Sequence, residues 1–258
     1  MFSRFTALLV FLFLLASNSY TINAQEKLPD SELYLIHEDV IYPYMTDKYE
    51  KAASDFADMM KESNVEGSYT ALQTDIFTYS YVTPVKDYEG LAKYFDMRSN
   101  MMEKDGKDKF TQVMSGFDGC YASHKNFLLT LRNDLSYKAK YGLNPEEGAN
   151  FRHLDYVYPM PGKEAEMIQI LKEYQALYSS KNIEQGYRVY IGGIGTDMPM
   201  VLFVQPAKSQ IDWATFSEEQ DKLLGEEGGN LWRRAMAITM KFEHHSGMMR
   251  PDLYYKSK

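Results

Sequence analysis

Two words in this chain set an imidazole beside a carboxylate at the same spacing: His37 and Asp39 in HEDVIYP, His153 and Asp155 in HLDYVYP. A carboxylate next to an imidazole fixes which ring nitrogen carries the proton and suits general acid–base work near neutral pH. Both words are rich in β-branched and aromatic residues and read as strands that Tyr-Pro then ends, since proline cannot donate to a ladder. Alternate side chains of a strand share a face, so each His points with its Asp, while Ile36, Val40, Leu154 and Tyr156 point the other way. With the apolar face packed on helices, both pairs project into the space between two sheets. Positions i and i+2 lie about 7 Å apart along a strand, which predicts a strained direct hydrogen bond. Each pair could equally satisfy backbone groups or a partner across the sheet.

Other reactive types add to this set. Arg152 and Arg188 could hold an anion if their strands face the same space, and the predicted ligand-binding residues are His37, Asp39, His153, Asp155, Arg188 and Tyr190. His124 and His244-His245 fall at the ends of expected helical regions, without the HExxH or CxxC spacing of a metal site, so no metal is expected. The single cysteine, Cys120, reads as a small buried apolar residue. Gly192-Gly193-Ile194-Gly195 lies between two strand-like runs, which predicts a hairpin and not a phosphate loop.

The spacing of the two words, 153 − 37 = 116, opens a series of matches in constant order. NVEGSY (64–69) matches NIEQGY (182–187), YVTPVK (81–86) matches FVQPAK (203–208), and RNDLSYK (132–138) matches RPDLYYK (250–256). The last match predicts equivalent turns or salt bridges at Arg132/Asp134 and Arg250/Asp252. Four collinear words describe a duplicated unit.

In each unit the first strand precedes an amphipathic helix, over 46–63 and 162–180, with apolar residues at helical spacing. Two short strands follow: SYTALQTD with IFTYSYVT, and YRVYIGG with PMVLFVQ. A second helical region comes next, reaching DKFTQVMSGF in the first unit and NLWRRAMAITMKF in the second, and an extended Asp-Leu-x-Tyr segment closes each unit. The order is β-α-β-β-α-β twice, the ferredoxin-like arrangement, whose sheet has one bare face that a second copy would cover. The fold class expected is α+β: two tandem ferredoxin-like units packed sheet to sheet as an intramolecular pseudo-dimeric α+β barrel, over 25–142 and 143–258.

On this element order, and on words such as Pro161-Gly162-Lys163, residues 33 to 256 resemble the dimeric α+β barrel superfamily. Its members include stress-responsive barrel proteins, antibiotic-biosynthesis-type monooxygenases and the NIPSNAP proteins. The resemblance implies a ligand cavity between the sheets and raises oxidoreductase chemistry. Some tandem α+β barrels carry haem, so haem is the one cofactor the resemblance brings; the residues themselves imply none.

Arg4, an apolar run from Thr6 to Ala16 and a polar stretch ending in Ile22-Asn23-Ala24 form a secretory signal pattern over residues 1–24, whose apolar core is too short for a comfortable membrane span. A secreted or periplasmic protein with no stable span after cleavage is expected. One cysteine cannot form an intramolecular disulfide, so packing must supply the stability. The net charge of −8, with no basic cluster, excludes a nucleic-acid surface. The 21 Tyr and 16 Met point to an aromatic, adaptable interior. Three classes follow: first, a small-ligand binder of the cell envelope, monomeric or homodimeric; second, an oxidoreductase using the His-Asp pairs; third, an interaction protein with a filled barrel.

Overall fold

The computed structural model describes residues 29–104, 107–137 and 148–257; the expected signal segment and the expected unit boundary at 142/143 lie outside them. In chain order the elements are β1 (Ser31–Ile41), α1 (Thr46–Glu62), β2 (Ser68–Thr74), β3 (Thr78–Lys86), α2 (Tyr88–Lys104), α3 (Lys107–Ser115) and β4 (Tyr121–Arg132). The second half has β5 (Phe151–Pro159), α4 (Glu164–Ser180), β6 (Arg188–Gly192), β7 (Val201–Ala207), α5 (Gln210–Ala237), β8 (Thr239–Met249) and the short β9 (Tyr255–Lys256). Among the described residues no helix is long and apolar enough to cross a membrane.

The sheet runs β3-β1-β4-β6-β7-β5-β8-β2 and returns to β3, all antiparallel, with β9 added beside the start of β2. This is a closed eight-stranded barrel and corrects the expected sheet-to-sheet packing. Two separate sheets would each leave edge strands with unpaired N–H and C=O groups. Here β4 pairs with β6 through Leu129–Leu131, and β8 pairs with β2 through Gly247–Met249, so those edges satisfy one another.

Closure also decides which face is which. Tyr34, Ile36, Phe127, Leu129, Leu154, Tyr190, Leu202 and Met249 pack against one another inside the barrel, with Tyr156 beside them. The helices cover the outside: Leu33 and Leu35 meet Leu91 and Tyr94 of α2, and Val157, Val189 and Val201 meet Met167, Ile170 and Leu171 of α4. Ile36, Leu154 and Tyr156 therefore face the barrel core and not the helices, opposite to the expectation.

The word NVEGSY/NIEQGY has a physical basis in helix termination. Asn64 and Asn182 adopt left-handed φ of 49° and 51° just past α1 and α4. In each, the next residue's N–H reaches back to the helix (Val65 to the Met60 carbonyl at 3.1 Å, Ile183 to Tyr178 at 3.2 Å) and its buried side chain packs there. Asparagine tolerates this conformation better than most residues, and the pattern is a Schellman cap.

The closing strand of each half is misplaced in the sequence reading. The fourth strands are β4 and β8; Asp-Leu-x-Tyr supplies a turn with a single Tyr137–Tyr187 bridge in the first half, and a 3-10 turn plus β9 in the second. The outer half of β4 (Ser123 to Asn126) is exposed and polar, so it lacks the alternation that marks a half-buried strand. Helix α5 ends at Ala237, and His124, His244 and His245 all lie on strands, not at helix ends. Among the described residues no cluster of three or more potential metal ligands forms.

The Arg-x-Asp words do form matching ion pairs, Arg132 to Asp134 at 2.6 Å and Arg250 to Asp252 at 2.6 Å. Arg250 reaches further, to the Glu50 carboxylate on α1, which also accepts from the Tyr79 hydroxyl. The Arg250 hydrogen bonds hold Glu50 below its usual 4.5. A depressed carboxylate gives stability that is complete above the unfolded value and lost as pH falls through the folded one. The thermal midpoint should therefore fall as pH drops below 4.5, and Glu50→Gln should show a shallower acid decline in circular-dichroism melts from pH 7 to pH 3. Parallel curves for the two proteins would refute the assignment.

Candidate functional site

Odd-numbered residues of β1 leave the barrel, so His37 and Asp39 face the helical layer. Tyr49 of α1 meets them there, its hydroxyl donating to Asp39 Oδ2 at 2.5 Å. The other carboxylate oxygen, Oδ1, lies 3.2 Å from His37 Nε2, a contact too poorly aligned to count as a hydrogen bond. His37 Nδ1 lies 3.0 Å from Asn126 Oδ1, because β4 sets Asn126 directly across from His37 and His124 across from Asp39. The His124 ring centre is 5.8 Å from that of His37 and 5.2 Å from that of Tyr121. A chain of contacts thus runs Tyr49–Asp39–His37–Asn126.

Burial, with Tyr81 and the Asp39 carboxylate adding to it, drives the Tyr49 phenol far above its ordinary value. Tyr49 therefore stays a donor at any working pH and compensates a carboxylate that is itself buried. Burial raises Tyr81 as well. One buried acceptor oxygen, Asp39 Oδ1, is left beside the imidazole, placed to balance a charge gained by the ring.

These groups form the polar end of a cavity of about 600 Å³ between the sheet and helices α1, α2 and α3. His37, Asp39, Tyr81, Tyr121, His124 and Asn126 line that end; Phe56 and Met60 of α1, Tyr94 and Met97 of α2, and Met114 and Phe117 form apolar wall, and Glu66, Lys86 and Lys93 also border the space. A mostly apolar pocket with a few convergent polar groups is the form small-molecule sites take. Methionine and aromatic walls adapt to flat, polarisable ligands.

The second pair sits at the equivalent place in the second half but faces no such opening. His153 Nε2 lies 2.9 Å from Asp155 Oδ1, so the two side chains lean together and the expected strain at i, i+2 does not prevent the bond. Trp213 of α5 stacks on the His153 ring, 3.8 Å between centres and 14° between planes, with its Nε1 donating to Gln205 at 3.0 Å. Below it Tyr174, Tyr178, Tyr187 and Phe203 pack ring against ring.

The six predicted ligand residues are therefore divided among three places. His37 and Asp39 line the cavity, His153 and Asp155 lie under Trp213, and Arg188 and Tyr190 point into the barrel with Arg152. Barrel closure separates them, since inward and outward side chains of a strand never share a space. Cys120 is buried against Tyr49 and Tyr79, and burial raises its thiol. Sequence reasoning missed Tyr49, Tyr121 and Asn126. Tyr49 was visible only as part of a helical core stripe, and no local pattern marks the other two.

No protein-family model matches the chain, and no curated protein sequence matches it. Solved structures do. An anthrone oxidase-like protein aligns with a TM-score of 0.58 at 13% identity, over 85% of this chain and 91% of its own. A monooxygenase candidate from Fusobacterium nucleatum gives 0.55 at 10% identity, over 86% and 93%. A mutant chlorite dismutase from Candidatus Nitrospira defluvii gives 0.50 at 9% identity, over 87% and 94%. The fold is thus that of anthrone oxidase-like, monooxygenase-like and chlorite dismutase-like α+β barrels, while the narrower likeness to NIPSNAP proteins remains one of sequence words.

Proposed function

We propose that the protein is an oxidoreductase that oxidises a small aromatic substrate with molecular oxygen in the cavity between the first-half sheet and α1–α3. The observation that carries the reading is the Tyr49–Asp39–His37 chain on the wall of a cavity that also presents Met and aromatic side chains. His37 takes a proton from an acidic O–H or activated C–H of the substrate, and Asp39 balances the imidazolium. The substrate anion then gives electrons to oxygen. For an activated CH₂ the balance closes as CH₂ plus O₂ giving C=O plus H₂O, one oxygen atom retained and one reduced to water. The names of the anthrone oxidase-like and monooxygenase-like fold neighbours accord with this chemistry. This reading replaces passive ligand binding as the first choice, because the fold neighbours are anthrone oxidase-like and monooxygenase-like proteins and the His37–Asp39 pair faces the cavity.

Haem fits the residues poorly. His37 Nδ1 is turned to Asn126 Oδ1, and His124 is largely exposed.

We also propose that the two halves, 25–142 and 143–258, are copies of one ferredoxin-like unit, supported by the collinear words and the shared helix caps. Residues 1–24 would direct export and then be removed. Mass spectrometry of exported protein should find Gln25 as the first residue; a mature protein that keeps Met1 would exclude cleavage.

Activity is tested by oxygen uptake with anthrone as probe. His37→Ala should lower the rate by about 10²- to 10⁴-fold, the range for loss of a general base. His153→Ala, whose ring lies under Trp213 and outside the cavity lining, should leave the rate within about threefold even where it lowers stability. Equal losses in the two variants, or none in His37→Ala, would sink the proposal, as would a Soret band on haem addition that His37→Ala removes.

A further inference from the structure

The barrel seam covers only part of β8. Its pairing with β5 runs from Thr239 to Met248, but on the other side β2 meets it only at Gly247–Met249, and the β2–β3 turn extends that cover to Ser246. From Met240 to His244 no strand lies on that side among the described residues. The Ser246 carbonyl accepts from the Asp75 N–H at 2.8 Å, while the Met249 N–H goes the other way, to the Asn150 carbonyl at 2.8 Å. Main-chain groups alternate in direction along a strand, so Met240, Phe242 and His244 turn their N–H and C=O groups to the open side.

The side chains alternate as well. Phe242 stands across from Val157, on the helix side, and Trp232 of α5 meets it edge to face at 5.5 Å. Met240 and Trp232 are 54% and 50% exposed. Lys241 and Glu243 stand across from Tyr158 and Tyr156, on the barrel side, and pair with each other at 2.9 Å.

A regular open edge is a template for another strand, and proteins commonly blunt it with charge, above all lysine. The equivalent stretch of the first half, the outer end of β4, reads Ser123-His124-Lys125-Asn126, a lysine with no acid beside it on the strand. In β8 a lysine and a glutamate flank Phe242. An antiparallel strand centred on Phe242 sets position 241 against position 243 of its partner, so a second copy of this segment brings Lys to Glu on both sides of the centre. The same two-fold makes Phe242 with Phe242, and Met240 with His244, hydrogen-bonded pairs, which is the direction their main-chain groups point. A parallel copy in register would instead set Lys241 on Lys241.

We propose that the open edge of β8 is a self-association site, where two copies of the chain join antiparallel about a two-fold at Phe242. Met240, Phe242 and Trp232 form the apolar outer side of the joint. The site is separate from the first-half cavity and stands whether or not that cavity is catalytic. So short a joint belongs with the weak interfaces, below about 1,200 Å², and the dimer should dissociate at about 1–100 µM.

Sedimentation velocity on the exported protein tests this, and dimer should grow in across about that concentration range. Glu243→Lys and Lys241→Glu should each weaken association by about tenfold or more, since each sets like charges across the joint on both sides of Phe242. Mixed in equal amounts the two variants should associate again, because one then presents two lysines and the other two glutamates. Phe242→Pro removes an N–H that the barrel leaves unused, so it should fold by circular dichroism and stay monomeric. A monomer at every concentration, single charge variants that associate like the unaltered chain, a mixture that stays monomeric, or a dimer that survives Phe242→Pro at unchanged strength would each overturn the proposal. Should Phe242→Pro not fold, the charge variants and their mixture decide.

Discussion

The β4–β6 and β8–β2 seams turn an eight-stranded sheet into a tube, and the rest of the molecule depends on that closure. A strand has a side-chain period of two, so once the sheet closes every residue is committed to the inside or the outside. Inside, Leu129, Leu154 and Leu202 belong to a core to which, among the described residues, the strands contribute and the helices do not. Outside, each half must bury its other face beneath its own helices. Polar residues that are neighbours by alternation, such as His37 and Asp39, can then face a helix together. Others equally close along the chain, such as Glu38, are sent to the opposite side of the wall.

The two halves cover their outer faces differently, and the difference lies in side-chain volume. The buried residues of α1 are Tyr49, Ala52, Ala53, Ala57, Met59 and Met60, half of them alanines, and Ala53 borders the cavity. The equivalent face of α4 carries Met167, Ile170, Leu171 and Tyr178, which reach the sheet and fill it. Trp213 completes the filling by lying flat on the His153 ring. A core packed to the density of organic crystals has no room for a ligand, so the same strand word serves a cavity in one half and a core in the other. His153 and Asp155 lie under a packed ring, and His37 and Asp39 line the cavity.

Much of this order is legible in the sequence where it is local. Asn64 and Asn182 mark the ends of α1 and α4 because a left-handed cap favours asparagine; Arg132/Asp134 and Arg250/Asp252 pair because two residues on a turn can. The Gly192–Gly195 stretch connects β6 to β7 as a hairpin connection should. What is not legible is non-local. Nothing in Ile36 or Leu154 says whether a sheet's apolar face meets helices or the far wall of a barrel, and the assumption of helices reversed the placement of both His-Asp pairs. The polar outer half of β4 conceals a strand, and with it Asn126 and His124, which the site uses. Tyr49 carried the right pattern for burial, but only the fold shows that its hydroxyl ends on Asp39.

Tyr49 has a neighbour, Glu50, that connects the site to the opposite half. Arg250, just past the end of β8, bonds the Glu50 carboxylate at 2.8 Å and Gln73 of β2 at 2.9 Å, and Glu50 also accepts from Tyr79 of β3. The first turns of α1 are thus fixed against the sheet by a cation supplied from residue 250, two hundred positions away along the chain. A hydroxyl held at 2.5 Å from a buried carboxylate needs its helix in a fixed position, because a shift of less than an ångström would break the bond and leave the charge uncompensated. The second half has no open cavity at its own His-Asp pair, yet its last strand sets the geometry of the first. Closing the seam at β8–β2 places Arg250 where it can do so.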